Sequence, residues 1–241
     1  MKYISKKFYR FLTSRKYLKL IKVYHKIFKE TSNLKINPTK NYNFLIHRKY
    51  IVNKIIELKN FKTYLEIGCD QDELFSSVKI EKKIGVDPNS GGTHRMTSDY
   101  FFKVNNQKFD LVFIDGMHEY QQVRKDILNS INSLNHNGII LVHDCFPMSY
   151  YDQAIPRAQR KWNGDVWKAI TEFRTFDNLN ICVGAFDNGI GLIQKKNNQN
   201  KLVLKTHMNN LKYTDYYNNY SRYLNLVNVD KFFEFIKDSN E

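Results

Sequence analysis

The chain has no run of about 18 consecutive apolar residues, which leaves no expectation of a membrane-spanning helix. Its opening, MKYISKKFYRFLTSRK, breaks any secretory h-region with charges, so no signal peptide is expected and the reading is cytoplasmic. Cysteine is scarce. Only Cys69, Cys145 and Cys182 are present, an odd number at wide spacings, which excludes a disulfide framework or a zinc ribbon and predicts reduced, buried thiols. Acidic residues are scarce at one end: the first 60 positions hold Glu30 and Glu57 against 16 Lys and Arg, whereas the rest of the chain is balanced. Such asymmetry points to an anionic partner, nucleic acid or a lipid surface, although a chain-wide tilt toward Lys, Asn, Ile and Tyr is the plainer source. No internal repeat and no G-x-G-x-x-G motif occur.

What is present suffices for one globular domain with terminal additions: 241 residues, 42% hydrophobic and 26% charged. Apolar residues from Ile4 to Phe28 recur near helical spacing among lysines, predicting an amphipathic basic helix or a pair of them. Pro38 lies in a break, and a second helical region covers Phe44 to Leu58. From Thr63 the texture changes to TYLEIG, KIGVD, FDLVFID and GIILVHD, short apolar runs that each end on a polar residue, in the βαβ rhythm of a parallel sheet. Glu119 to Leu134 reads as a crossover helix ended by a turn at Asn137-Gly138. LNICVGA and GIGLIQ, separated by Phe186-Asp187-Asn188 with Gly189 free to take a positive φ, read as a hairpin that adds one antiparallel strand. A tyrosine-rich segment and a short helix around Phe232 to Ile236 follow. The expected divisions are a basic helical extension over 1–60, a core over 61–194 and a helical extension over 195–241.

In open α/β sheets ligands gather at the carboxyl ends of the strands. There the first run gives Glu66 and Gly68, the second Asp87, 19 residues after Gly68 and suited to accept both hydroxyls of an adenosine ribose. The third run brings Asp115 and His118, the fourth His143 and Asp144. His and Asp are costly to bury without partners, so two imidazoles and two carboxylates on one rim favour function over a structural network. A good helix start stands at Ser98-Asp99, and Asp115 can also cap the helix after it. After Asn163-Gly164, which should turn, Asp165 can cap a helix over Val166 to Phe173.

EIGCD and GVD resemble the first two motifs of the class I S-adenosylmethionine-dependent methyltransferases, over roughly Phe61 to Gln194. Asp70 departs from that pattern, standing where many of these enzymes keep a second glycine. The resemblance implies a Rossmann-like α/β fold: a seven-stranded, mostly parallel sheet with one antiparallel strand and helices on both faces. S-adenosylmethionine carries a sulfonium cation and no phosphate, so a carboxylate-bearing loop suits it better than a phosphate cradle. Residues implied to bind it are Glu66, Gly68, Asp87, Ser98, Asp99 and Asp115.

FIDGMHEY followed by LVHDC sharpens the likeness to a branch of small bacterial methyltransferases, similar to sugar O-methyltransferases of capsular polysaccharide pathways. The implied reaction is methyl transfer to a hydroxyl of a sugar or nucleotide-linked sugar, with His118 as the first candidate base, His143 the second and Asp115 beside them. A divalent cation would be held by Asp115, His143 and Asp144; Mn²⁺ accepts an imidazole, Mg²⁺ tolerates it poorly. Arg157, Arg160 and Trp162 fall where the family covers the acceptor. Expected partners are a nucleotide-sugar or glycan acceptor, an inner membrane surface met through the basic N-terminus, and a further copy in a homo-oligomer. An RNA methyltransferase and a non-catalytic scaffold are the alternatives; the neutral body and the lack of an N-P-P-Y run weigh against the first.

Overall fold

The structure, a computed structural model, describes residues 14–37, 42–43 and 45–237. Of the helix expected over residues 4–28, the part before Ser14 lies outside the described residues. The remainder is α1 (Arg15–Phe28), capped by Ser14, whose Oγ accepts from Tyr17 N. The second helical region is α2 (Arg48–Lys59). Then follow β1 (Thr63–Ile67), β2 (Lys82–Val86), α3 (Ser98–Val104), β3 (Phe109–Ile114), α4 (Tyr120–Asn132) and β4 (Leu134–Val142). The chain continues through α5 (Tyr150–Gln153), α6 (Val166–Phe173), β5 (Asn180–Gly184), β6 (Ile190–Gln194), α7 (Tyr213–Leu224), β7 (Leu226–Val227) and α8 (Val229–Lys237).

The seven strands form one sheet in the order β2-β1-β3-β4-β6-β5-β7. β6 runs antiparallel to both β4 and β5, and every other pairing is parallel. Successive side chains of a strand alternate between faces, so each strand feeds two cores. Leu65, Ile67, Val112, Ile114, Ile140 and Val142 meet residues of α3, α4, α6 and α7 on one face. Tyr64, Leu111, Phe113, Ile139 and Leu141 meet Ile51, Val52 and Ile55 of α2 and Phe232 and Ile236 of α8 on the other. Burying one such aliphatic side chain stabilises the fold by roughly 1.5–3 kcal/mol. Burial on both faces accounts for the near-continuous apolar runs. All three cysteines are free and buried, as expected.

Three local readings differ from the structure. Asn137-Gly138 does not end α4, which stops at Ser133; Asn137, at φ +60°, belongs to an irregularity inside β4, where pairing with β3 jumps from Leu134 to Ile139. The cap of α3 is Thr97, one residue before Ser98. Asp165 does not cap α6 with its side chain; its Oδ1 accepts from Tyr120 N at 2.7 Å, so Asp165, and not Asp115, satisfies the first turn of α4. The hairpin between β5 and β6 forms as expected, with Gly189 at φ +89°.

Candidate active site at the carboxyl rim

Parallel pairing brings the carboxyl ends of β1, β2, β3 and β4 to one rim, and the loop from β5 to the reversed β6 arrives at the same edge. The strand ends are laced by their backbones: Asp115 N donates to Ile67 O at 2.8 Å and His143 N to Ile114 O at 2.9 Å. Gly68, at φ +88°, lies so close to the next strand end that a Cβ there would sit 2.2 Å from Asp115 O. Only glycine fits that approach.

Asp115, His118, His143 and Asp144 converge. His118 Nδ1 lies 3.1 Å from Asp144 Oδ2 and 3.2 Å from the Trp162 carbonyl oxygen. Both are acceptors, so Nδ1 carries a hydrogen; Nε2, 3.3 Å from Asp115 Oδ1, also faces an acceptor and carries a hydrogen when the imidazole is charged. The Trp162 ring stacks on the His118 imidazole with centroids 5.3 Å apart, and the Arg157 guanidinium lies over the same indole at 5.4 Å from its centroid. Gly164, at φ +64°, presses on the His118 backbone, where a Cβ would meet His118 O at 1.7 Å. His143 is set deeper, its side chain only 3% exposed. Its Nδ1 faces Asp115 Oδ1 at 3.2 Å and Asp144 Oδ2 at 3.4 Å, while Nε2 is 3.3 Å from Asp187 Oδ1 and 3.3 Å from Arg48 Nη1.

Three acids thus face two imidazoles and a guanidinium. Burial alone would lower the His143 imidazole, but the carboxylates of Asp115 and Asp144 outweigh it and raise it well above its ordinary value. Burial likewise opposes the charge on His118, and Asp144 and Asp115 again raise it. Burial would raise the Asp115 carboxyl; the charge of His143 and hydrogen bonds from His118 and His143 hold it well below the usual range. Asp187 is lowered against burial by His143 and Arg48, and its Oδ2 accepts from Arg48 N, at the start of α2, at 2.5 Å.

Other expected site residues are placed as follows. Glu66 is buried beneath the rim, accepts from Tyr64 Oη at 2.5 Å, and is pushed up to about 7 chiefly by burial. The Asp87 carboxylate accepts from four backbone N–H groups: Cys69 and Asp70 on Oδ2, Asn89 and Ser90 on Oδ1. Its acceptor sites are therefore committed to shaping the two adjoining loops. Asp70 takes φ +46°, the conformation a glycine would suit. Ser98 and Asp99 are tied to α4 through Gln122, whose Nε2 reaches Ser98 Oγ, Asp99 Oδ1 and the buried Asp126 Oδ1. Arg160 is exposed, and its carbonyl oxygen accepts from Arg157.

For a cation, one ligand atom each from Asp115, His118 and Asp144 lie within 4.8 Å of one another. His143, the expected imidazole ligand, lies against the same two carboxylates, with Nδ1 at 3.2 Å from Asp115 Oδ1 and 3.4 Å from Asp144 Oδ2. Asn163 Nδ2 holds Asp144 Oδ1 at 3.1 Å, leaving Oδ2 toward the imidazoles, while Asn163 Oδ1 is buried with no hydrogen-bond partner. Two carboxylate oxygens, an imidazole nitrogen and a nearby orphan amide oxygen fit a Mn²⁺-like ion better than Mg²⁺.

Arg48, Asp187 and Asn163 were not singled out from sequence. Asp187 had a signal in retrospect, since a hairpin leading into a reversed strand must sit at the carboxyl rim. Arg48 was hidden among the basic residues of the first 60 positions, and Asn163 by its reading as a turn.

Solved structures of similar layout include an SAH-bound methyltransferase of Podospora anserina, 15% identical over 62% of this chain and 78% of that one, TM-score 0.48. Another is a putative caffeoyl-CoA O-methyltransferase of Staphylococcus aureus, 13% identical over 78% of this chain and 96% of that one, TM-score 0.48. An O-methyltransferase of Bacillus cereus in complex with SAH is 9% identical over 75% and 90% of the two chains, TM-score 0.46. No curated protein matches the sequence. A family model described as a methyltransferase domain does match, over residues 65–145. That stretch, about a third of the chain, runs from β1 past the end of β4 and holds Glu66, Gly68, Asp87 and the whole Asp115, His118, His143 and Asp144 cluster, so the match falls on the part of the chain that builds the rim.

Proposed function

We propose that the protein transfers a methyl group from S-adenosylmethionine to a hydroxyl of a sugar or nucleotide-linked sugar, in capsule or other surface-glycan biosynthesis on the cytoplasmic side of the membrane. The observation that carries this reading is the imidazole of His118, oriented by Asp144 and Trp162 with Nε2 beside Asp115, on the rim opened by Gly68. S-adenosylmethionine would be held on that rim, where it would supply an activated methyl group near His118. Asp115 would meet its cationic end, and Ser98, Asp99 and Gln122 would supply hydrogen bonds to its adenine.

Bound there, S-adenosylmethionine would supply an electrophilic methyl group to the acceptor oxygen and leave as the neutral thioether; His118, whose charged form Asp144 and Asp115 favour, takes the hydroxyl proton at Nε2 once it has released its own to solvent. The developing imidazolium is stabilised by Asp115 and Asp144, the carboxylates already flanking it. His143 remains charged beneath them and holds the Asp115 carboxyl ionised. When bound at Asp115, His118 and Asp144, a divalent ion would acidify the acceptor hydroxyl, a state in which the imidazole is a ligand and not a base. An open cavity of about 540 Å³ lies between α1 and the segment after β4, lined by Asn33, Asn37, Tyr151, Asp152 and Gln159 and by none of Asp115, His118, His143 and Asp144, so it is separate from the reaction centre.

The test is transfer of labelled methyl from S-adenosylmethionine to a panel of nucleotide sugars and to RNA, with calorimetric binding of the cofactor measured in parallel. Transfer to a sugar nucleotide is expected. His118→Ala should retain cofactor binding and lose roughly 10²- to 10⁴-fold in turnover. Transfer to RNA alone overturns the acceptor, and no heat of cofactor binding overturns the reaction. Loss of wild-type activity in a chelator, restored by Mn²⁺, assigns His118 to the ion.

A further inference from the structure

α1 is amphipathic in an unusual sense. Its packed side is narrow: Leu18 is buried, and so is His25, whose Nδ1 meets Tyr150 Oη at 2.9 Å and whose Nε2 meets Pro156 O at 2.8 Å. These contacts fix the helix on the segment that covers the acceptor side of the rim. They leave a second apolar stripe facing outward. Leu20 is 64% exposed, Val23 51%, Tyr24 37%, Ile27 65% and Phe28 68%. Positions 20, 23, 24, 27 and 28 follow the i, i+3, i+4, i+7, i+8 pattern, so they form one continuous band along the helix. Tyr24 and Phe28 rings lie 5.3 Å apart within it. Globular proteins rarely expose contiguous apolar bands of this kind without a partner.

The charge around the band says which partner. At about 100° per residue, Arg15, Lys19, Lys22, Lys26 and Lys29 cluster on the arc between the stripe and the packed face, and Lys16 falls in line with the stripe, one turn before Leu20. No Asp or Glu occurs before Glu30. An apolar stripe on a helix whose polar face is uniformly cationic matches a surface that is apolar below a layer of negative charge. A self-associating face would instead set these cations against one another around a two-fold axis.

We propose that α1 is an interfacial docking helix that lies in the plane of an anionic lipid bilayer, inserting Leu20, Val23, Ile27 and Phe28 while its lysines meet the headgroups. The proposal rests on the reading above only for placing the enzyme on the cytoplasmic side; the surface itself follows from the helix. Because His25 joins the helix to Tyr150 and Pro156, a seat on the bilayer holds the acceptor side of the rim close to that surface.

Co-sedimentation of the full chain with vesicles tests it. Phosphatidylcholine vesicles containing phosphatidylglycerol should pull the protein down, neutral phosphatidylcholine vesicles should not, and raised salt should weaken the binding. The triple variant Leu20→Ser, Ile27→Ser and Phe28→Ser should bind roughly tenfold or more weakly, since each lost aliphatic insertion removes transfer free energy. All three side chains are exposed, so its melting temperature should match wild type. Absence of binding to anionic vesicles overturns the proposal, as does equal binding by the variant. A wild-type dimer that the variant converts to monomer without any vesicle binding reassigns the stripe to a second copy. None of these outcomes depends on whether methyl transfer to a sugar is found.

Discussion

Glu66 and Gly164 show how single residues carry the rim. Burial raises Glu66 from 4.5 to about 7, so the folded chain binds its proton more tightly than the unfolded chain does. The stability this contributes is complete below about pH 4.5 and is lost as the pH rises to about 7, a swing on the order of 3 kcal/mol. Glu66→Gln keeps an acceptor for Tyr64 Oη and removes the titration. Urea unfolding from pH 5 to 8 should therefore show the variant gaining on wild type with rising pH; parallel profiles would place the carboxyl in contact with water. Gly164→Ala puts a methyl group into the His118 backbone at a positive φ, and should lower turnover more than it lowers the affinity for S-adenosylmethionine. Unchanged turnover would mean the turn yields without moving His118. At this scale the sequence was legible wherever a polar residue closed an apolar run: Asp115, His118, His143 and Asp144 stood out by that rule and converge. Arg48 and Asp187 were not legible, because their meaning comes from pairing over 139 positions, which no local pattern encodes.

Among the elements, strands and crossover helices were the readable part, and their ends were not. Val166–Phe173 begins and stops where its apolar spacing says it should. α7 was legible only as a tyrosine-rich segment, because Tyr213, Tyr216, Tyr220 and Tyr223 keep helical spacing but are amphipathic residues that blur an apolar count. Asp165 reads as the cap of the helix that follows it and serves the one before it in the sheet order. Asp165→Ala should therefore destabilise the protein by about 1 kcal/mol through α4. Amide exchange should quicken at Tyr120 and Gln121 rather than at Val166 and Trp167; the reverse pattern would return the cap to α6.

On the scale of the whole molecule, the expected additions and core interlock. Beyond Gln194 the chain supplies β7 to the sheet and a helix to each face, and Arg174 ties that portion down. Arg174 is 2% exposed and donates to the carbonyl oxygens of Asn200, Arg222 and Tyr223, with burial lowering it to about 10. Arg174→Leu removes the donor shared by these three carbonyl oxygens, of which that of Tyr223 is buried, and should cost roughly 1–3 kcal/mol, with exchange in residues 198–225 rising before that of β1 and β3. Uniform loss across the chain would show that this tether is not a separate opening unit. The placement of α2 carries a practical consequence for anyone trimming the chain to its motif-bearing middle. Such a fragment would keep every recognisable signature yet bare Tyr64, Leu111 and Phe113 to solvent and strip Asp187 of its guanidinium, yielding an insoluble, acid-heavy remnant whose inactivity would say nothing about the intact enzyme.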